Sequence, residues 1–175
     1  MKKIGLPLDA GNLKAGDEVL FSGVIYTARD QAHMKLSASL LSGRKPPFDL
    51  KGQIIYYCGP NPAPKGKVIG SCGPTTSRRM DGFTSLLLKS GVNGMIGKGS
   101  RSKEVVRAIR KHGAVYFITH AGCGALLAKQ VRSKKIVAYP ELGPEAIHRL
   151  HVKDFPLIVA VDNKGRDIYS RRRND

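Results

Sequence analysis

Residues 67–100, KVIGSCGPTTSRRMDGFTSLLLKSGVNGMIGKGS, read as strand, tight turn, helix and strand in succession. Val68 and Ile69 favour an extended chain, and Gly73-Pro74 ends it. Beyond the turn, Met80, Phe83 and Leu87 recur at helical spacing, which predicts a helix over about 76–88. VNGMIG, residues 92–97, is short and apolar again, a second strand that closes on Gly97-Lys98-Gly99-Ser100. A strand, a helix and a strand in this order form the crossover that joins parallel neighbours in a sheet.

The same alternation extends in both directions. Downstream the pattern predicts a helix from Ser102, a strand AVYFIT (114–119) and a helix over 123–130. A strand KKIVAY (134–139), a helix over 144–150 and a final strand PLIVAV (156–161) follow. Upstream, DEVLFSGVIYT (17–27) reads as one strand or two short ones. Residues 29–41 read as a helix with Ala32, Leu36, Leu40 and Leu41 on its apolar stripe, and QIIYYC (53–58) reads as another strand. The prolines of 44–47 and 60–64 mark loops. The expected fold is α/β with a largely parallel core sheet, the opening strands forming a second layer, and residues 1–175 making a single domain.

No apolar run approaches the roughly 20 residues that cross a bilayer, and the first 17 residues lack the apolar core of a secretory signal. A cytoplasmic protein with no membrane attachment is expected. Cys58, Cys72 and Cys123 are odd in number and unevenly spaced, which excludes a disulfide framework and a self-contained zinc or iron–sulfur site. They read as structural thiols. His112, His120, His148 and His151 show no metal-ligand spacing either, so no metal site is expected in this chain. Thirty Lys and Arg against thirteen Asp and Glu give a net charge of +17. Such an excess suits nucleic acid, an anionic small molecule or an acidic partner. The runs Arg132–Lys135 and Arg171–Arg173 read as solvated surface, and the aromatic–basic interleaving of an RNA-binding sheet is missing.

Four strand-to-helix junctions share a composition: Thr27-Ala28-Arg29-Asp30, Gly73 to Arg79, Gly97-Lys98-Gly99-Ser100, and Ala121-Gly122-Cys123-Gly124. In an open α/β sheet such junctions lie at the carboxyl ends of the strands, where ligands bind, and helix N-termini there attract anions. Arginine and lysine suit the crevice to carboxylates or phosphates. Thr75 or Thr76 is the expected N-cap of the helix after Gly73-Pro74, with Thr75 and Arg79 on one helix face. Asp30 stabilises a helix start, and His33 either touches the ligand or pairs with Asp30. GVNGMIGKG (91–99) departs from a P-loop by its spacing and by Gly99 where Ser or Thr belongs, and Gly122 to Gly124 lacks the third glycine of a dinucleotide fingerprint.

Gly73 to Asp81, GPTTSRRMD, resembles the GPTT-x-x-RMD signature of class I fumarases and the related tartrate dehydratases. T-A-R-D-Q-A-H (27–33), Y-Y-C-G-P (56–60), M-I-G-K-G (95–99) and D-F-P-L-I-V-A-V-D (154–162) match the family in the same order. The resemblance implies a swivelling β/β/α domain. In single-chain members that domain follows a larger one carrying a [4Fe–4S] cluster; in split members it is a separate β subunit. This chain resembles the split form, so the cluster is expected on a partner α subunit, within a homo- or hetero-oligomer. The implied reaction is reversible hydration of fumarate to L-malate, a dicarboxylate substrate, with a tartrate dehydratase β subunit as the related alternative. A basic nucleic-acid-binding module is the alternative of another class. Carried over by position, Arg29, Thr75, Arg79 and Lys98 match substrate-binding residues, with Gly73 and Thr76 beside them, and Thr75 matches the catalytic base. Where some members have an alanine-rich turn, this chain has Gly122-Cys123-Gly124, which makes Gly122 and Cys123 lesser contributors.

Overall fold

Ile54, Ile55, Tyr56 and Tyr57 are all buried, an unbroken run that requires cover on both faces of the strand. Ile54 and Tyr56 join Phe21, Ile96, Phe117 and Val159 in one apolar cluster. Ile55 and Tyr57 join Leu36, Leu87 and Ile109 in another, on the helical side. The computed structural model, which describes residues 1–170, explains this by one seven-stranded sheet that closes over the first cluster and carries helices against the second; the opening strands belong to that sheet and form no separate layer.

The strands are β1 (Lys2–Ile4), β2 (Glu18–Thr27), β3 (Ile54–Tyr56), β4 (Gly94–Gly97), β5 (Val115–Ile118), β6 (Val131–Ala138) and β7 (Ile147–Val161). They form one sheet in the order β1-β2-β3-β4-β5-β7-β6. Neighbours from β1 to β5 are parallel, whereas β7 runs antiparallel to β5, to β6 and also to β2. The double pairing of β7 closes a ring, β2-β3-β4-β5-β7, around the first apolar cluster. The helices are α1 (Asp30–Leu41), α2 (Asp81–Lys89), α3 (Lys103–His112) and α4 (Gly124–Ala128). On α3 the ends are specified locally: Ser102 Oγ accepts from Val105 N at 3.3 Å, and Gly113 turns left-handed at φ 65°. Among the described residues no helix is long and apolar enough to cross a membrane.

The mixed α/β class and the parallel strands follow the sequence reading; several elements do not. Residues 67–72 are not a strand. Because β3 pairs directly with β4, Ile54 opposite Gly94, the sheet has no slot for that segment, and it crosses the end of the sheet as a loop. The expected helix over 144–150 is also absent. Pro140–Glu145 is a 3-10 segment, and Ile147 already belongs to β7, which absorbs the separate strand expected at 156–161. From residue 148 the strand alternates with period two: His148, Leu150 and Val152 are buried while Arg149, His151 and Lys153 are exposed. β6 runs from Val131 to Ala138, beginning three residues ahead of the strand expected at 134–139, and Arg132, Ser133 and Lys135 on it are exposed, as expected of a solvated basic run. α4 stops at Ala128, and Leu41 is exposed, off the stripe assigned to it. The run Arg171–Arg173 lies outside the described residues.

Candidate functional site at the carboxyl end of the parallel strands

Since β2, β3, β4 and β5 are parallel neighbours, their carboxyl ends bring four loops onto one rim. Arg29 follows β2, Gly59 follows β3, Lys98 follows β4, and Gly122 and Cys123 follow β5. The Gly73–Ser77 turn is laid across these ends by main-chain bonds. Cys72 N donates to Gly124 O at 3.2 Å, and Thr75 N donates to Tyr57 O at 2.7 Å. Thr76 and Lys98 form a parallel bridge, Ser77 N donates to Lys98 O at 3.0 Å, and Lys98 N donates to Ser77 Oγ at 3.0 Å. Thr75 therefore precedes the helix instead of lying on it. A 3-10 turn (Ser77–Met80) intervenes before α2, and Thr76 makes no side-chain cap bond. The expected shared helix face of Thr75 and Arg79 is replaced by a strand-like Thr75 and an Arg79 on the 3-10 turn.

Both arginines are held by carboxylates. Arg29 Nε donates to Glu145 Oε1 at 3.0 Å, and its guanidinium lies flat against Gly59, where a Cβ would stand 2.9 Å from Arg29 Cζ. Arg79 makes a fork, Nε to Asp30 Oδ1 at 3.0 Å and Nη2 to Asp30 Oδ2 at 2.8 Å. The Arg79 hydrogen bonds hold the Asp30 carboxyl below the usual carboxylate range, and Arg29 lowers it further; Glu145 in turn helps raise Arg79. Arg29, Glu145, Asp30 and Arg79 thus form one cluster of alternating charge.

Lys98 is half-buried, and among the described residues it has no carboxylate in ion-pair range. Thr75 is half-buried, Thr76 is exposed, and Gly73 packs backbone to backbone on Gly124, whose Cβ would stand 2.8 Å from Gly73 N. Gly122 is exposed with φ 78°, and Cys123 is half-buried ahead of α4. His33 is the exception. It is 1% exposed, its ring nitrogen Nδ1 lies 2.9 Å from Arg29 O, and its ring meets Tyr57 edge-on at 5.3 Å. Burial pushes its pKa down to about 4. It supports the Arg29 main chain from beneath and makes no hydrogen bond to Asp30.

Residue-by-residue reading of the sequence missed Glu145, Gly59 and, most notably, Arg101. The Arg101 side chain is fully buried. Its Nε donates to Asp81 Oδ1 at 2.6 Å, Nη2 to Thr84 Oγ1 at 2.6 Å and Nη1 to Tyr57 OH at 3.3 Å. The guanidinium packs over the rings of Tyr57 and Tyr116, at 5.3 and 4.9 Å. Asp81 Oδ2 also accepts from Ser102 N at 2.8 Å. The Tyr116 hydroxyl donates to Gly99 O at 2.8 Å and shares a 2.8 Å hydrogen bond with Ser77 Oγ. This buried network ties the Lys98 loop to the Thr75–Arg79 turn. The one available signal was Asp81, an acid at the head of an apolar helix.

Cys58 and Cys72 do not fit a cluster. Cys58 and Cys72 lie in the core within the ring, where burial raises both thiols, Cys72 to about 12 and Cys58 further. Cluster ligands must be thiolates. Among the described residues no three His, Cys, Asp or Glu side chains gather as a metal site. A cleft of about 460 Å³ beside the rim, lined by Lys67, Ile69, Ala128, Lys129 and Val131, does not include the arginines.

The fold and rim thus define an α/β domain whose parallel strands end on two carboxylate-paired arginines, a lysine and a threonine, side chains of the kind that suit a small anion. The Fumarase C-terminus family model matches residues 7–172, so the chain belongs to that family. It is 40% identical over 158 residues to fumarate hydratase 2 of Leishmania major, covering 89% of this chain and 28% of that protein. Against the anaerobic class I fumarate hydratase of Escherichia coli, identity is 43% over 152 residues, covering 86% and 28%. A Methanocaldococcus jannaschii protein named for the β subunit of L(+)-tartrate dehydratase is 43% identical over 167 residues, covering 92% of this chain and 86% of that one. The chain therefore spans little more than a quarter of the fumarate hydratases it matches, and nearly all of the tartrate dehydratase subunit.

Proposed function

We propose that this chain is the β subunit of a two-subunit iron–sulfur hydro-lyase that interconverts fumarate and L-malate in the cytoplasm. The observation that carries this reading is the convergence of Arg29, Thr75, Arg79 and Lys98 on one rim, with both arginines in a single charge cluster. Residues 1–175 act as one domain that swivels against the α subunit, and the [4Fe–4S] cluster belongs to that subunit; in support, Cys58 and Cys72 are core thiols and no cluster of three metal-ligating side chains forms among the described residues.

On this chain, Arg29 takes one substrate carboxylate on its terminal nitrogens. Arg79 and Lys98 take the other, Gly73 and Gly122 let main chain approach the ligand closely, and Thr76 offers an exposed hydroxyl. Thr75 exchanges the proton at the carbon beside the hydroxyl-bearing one. A threonine hydroxyl is a very weak base, and Thr75 has no side-chain hydrogen bond among the described residues. Its activation therefore falls to the α subunit or to the substrate's surroundings in the complex.

The test is anaerobic reconstitution with the larger subunit, following malate–fumarate interconversion for each chain alone and for the mixture. Turnover only in the mixture is expected. Robust turnover by this chain alone would sink the two-subunit reading, and a mixture inert towards every diacid would sink the hydro-lyase reading. The tartrate alternative has its own support in the length match to the tartrate dehydratase subunit. Side-by-side kinetics with L-malate and both tartrate enantiomers decide between the two.

A further inference from the structure

Two acidic side chains stand where a dianion site should exclude them. The chain has only thirteen Asp and Glu, yet Glu145 and Asp30 each bind one of the two arginines. By charge alone each of them weakens the hold on a dicarboxylate. The geometry assigns them another task. Glu145 occupies only Nε of Arg29, and Nη1 and Nη2 have no protein hydrogen bond among the described residues. Glu145 Oε1 also lies 3.4 Å from Gln31 N, which pins it to the start of α1. Its own main chain is anchored: Ala146 is fully buried, Ala146 N donates to Gly143 O at 3.0 Å, and β7 begins at Ile147. Beneath the guanidinium, Gly59 leaves no side chain in the way.

We infer that Glu145 is a positioning residue for substrate binding: by holding Nε of Arg29 it fixes the guanidinium with its Nη1/Nη2 fork free for a carboxylate. Asp30 does the same for Arg79 through Nε and Nη2, leaving Nη1. A guanidinium fixed in advance loses less rotational freedom when it forms its charge-assisted bonds, and that gain exceeds the repulsion from a carboxylate already neutralised by its arginine. The inference rests on the proposed role of Arg29 in binding a substrate carboxylate.

The experiment compares Glu145→Ala and Glu145→Gln in the reconstituted two-subunit enzyme with L-malate. Alanine removes the acceptor and the charge; glutamine removes the charge and keeps an acceptor for Nε. Positioning predicts that KM rises about tenfold or more in E145A with kcat within about twofold, and that E145Q recovers most of the loss. A KM that is unchanged or lower in E145A overturns the inference, because that is the electrostatic outcome. Equal rises in both variants, or a loss confined to kcat with a lowered Tm, overturn it as well. A second readout needs no turnover: the Arg29 Nε–H resonance of this chain by itself. Slow solvent exchange is expected in the wild type and E145Q, with fast exchange in E145A. Identical exchange in all three refutes positioning even if the enzyme is active. A wild-type complex inert towards every diacid refutes the hydro-lyase reading instead, and the exchange measurement still decides the geometry.

Discussion

Replacing Arg101 with methionine tests whether the buried network under the rim holds the site together. Methionine keeps an unbranched apolar side chain between Tyr57 and Tyr116 but removes the charge and three oxygen-directed hydrogen bonds. The main cost falls on Asp81, whose side chain is 14% exposed and retains only the Ser102 N–H. Breaking one partner of a buried ion pair costs about 3–5 kcal/mol, and the residual exposure of Asp81 places this case near 3. For a domain of this size that corresponds to a Tm lower by about 6–12 °C. Asp81→Asn alone should cost more, because the Arg101 side chain, with no exposure at all, is left as a charge without an anion. The double variant should recover most of the loss by removing both charges, which a double-mutant cycle in urea reports as a coupling of about 2–3 kcal/mol. In the reconstituted enzyme the stable double variant should still lose kcat/KM, since the tie between the Lys98 loop and the Asp81 end of α2 is gone. A single-variant cost below about 1 kcal/mol, or no recovery in the double, would refute the reasoning.

Gly59→Ala places a methyl 2.9 Å from Arg29 Cζ and Nε. Because a flexible side chain yields before backbone does, Tm should move by no more than about 2 °C while KM for the diacid rises several-fold; an unchanged KM would remove Gly59 from the account. His33, at about 4, titrates below an unfolded histidine at 6.5. The unfolded state therefore takes up a proton first, and stability falls as pH drops below about 6.5, levelling near 4. The loss amounts to about 2 kcal/mol at pH 5 relative to pH 7.5. His148, also lowered by burial, adds to the slope. Urea midpoints at both pH values should converge towards one another in His33→Phe, and a slope unaltered by that substitution would contradict the assignment.

How much of this was legible in the sequence depends on the range of the interaction that decides each feature. The Gly73–Asp81 motif and the junctions at Arg29 and Lys98 were readable because glycine and proline turn the chain locally and the spacing of apolar residues sets the flanking elements, whereas the cap expected of Thr75 or Thr76 is not made. β2 and α1 were readable for the same reason. Residues 67–72 have strand-like composition, yet a strand also needs a free neighbour, and the pairing of β3 with β4 leaves none. The 144–150 segment contains good helix formers, and its extension into β7 is imposed by pairing with β2 and β6. Arg101 sits in a polar stretch that resembles any surface loop. Only the fold brings it to Asp81, twenty positions away, and to Tyr57, forty-four away. Glu145 is 116 residues from Arg29, so no local pattern could have paired them.

The central claim is that this chain supplies the dicarboxylate-anchoring half of a shared active site. Its most direct test is kcat/KM for L-malate in the reconstituted enzyme carrying Arg79→Leu. Arg79 is half exposed and its pair with Asp30 is solvent-screened, so the variant should fold with nearly unchanged Tm. Losing the charge-assisted contact of Nη1 to a substrate carboxylate, and leaving the Asp30 carboxylate unpaired beside that substrate, should lower kcat/KM about a hundredfold. Wild-type kinetics in that variant would contradict the claim.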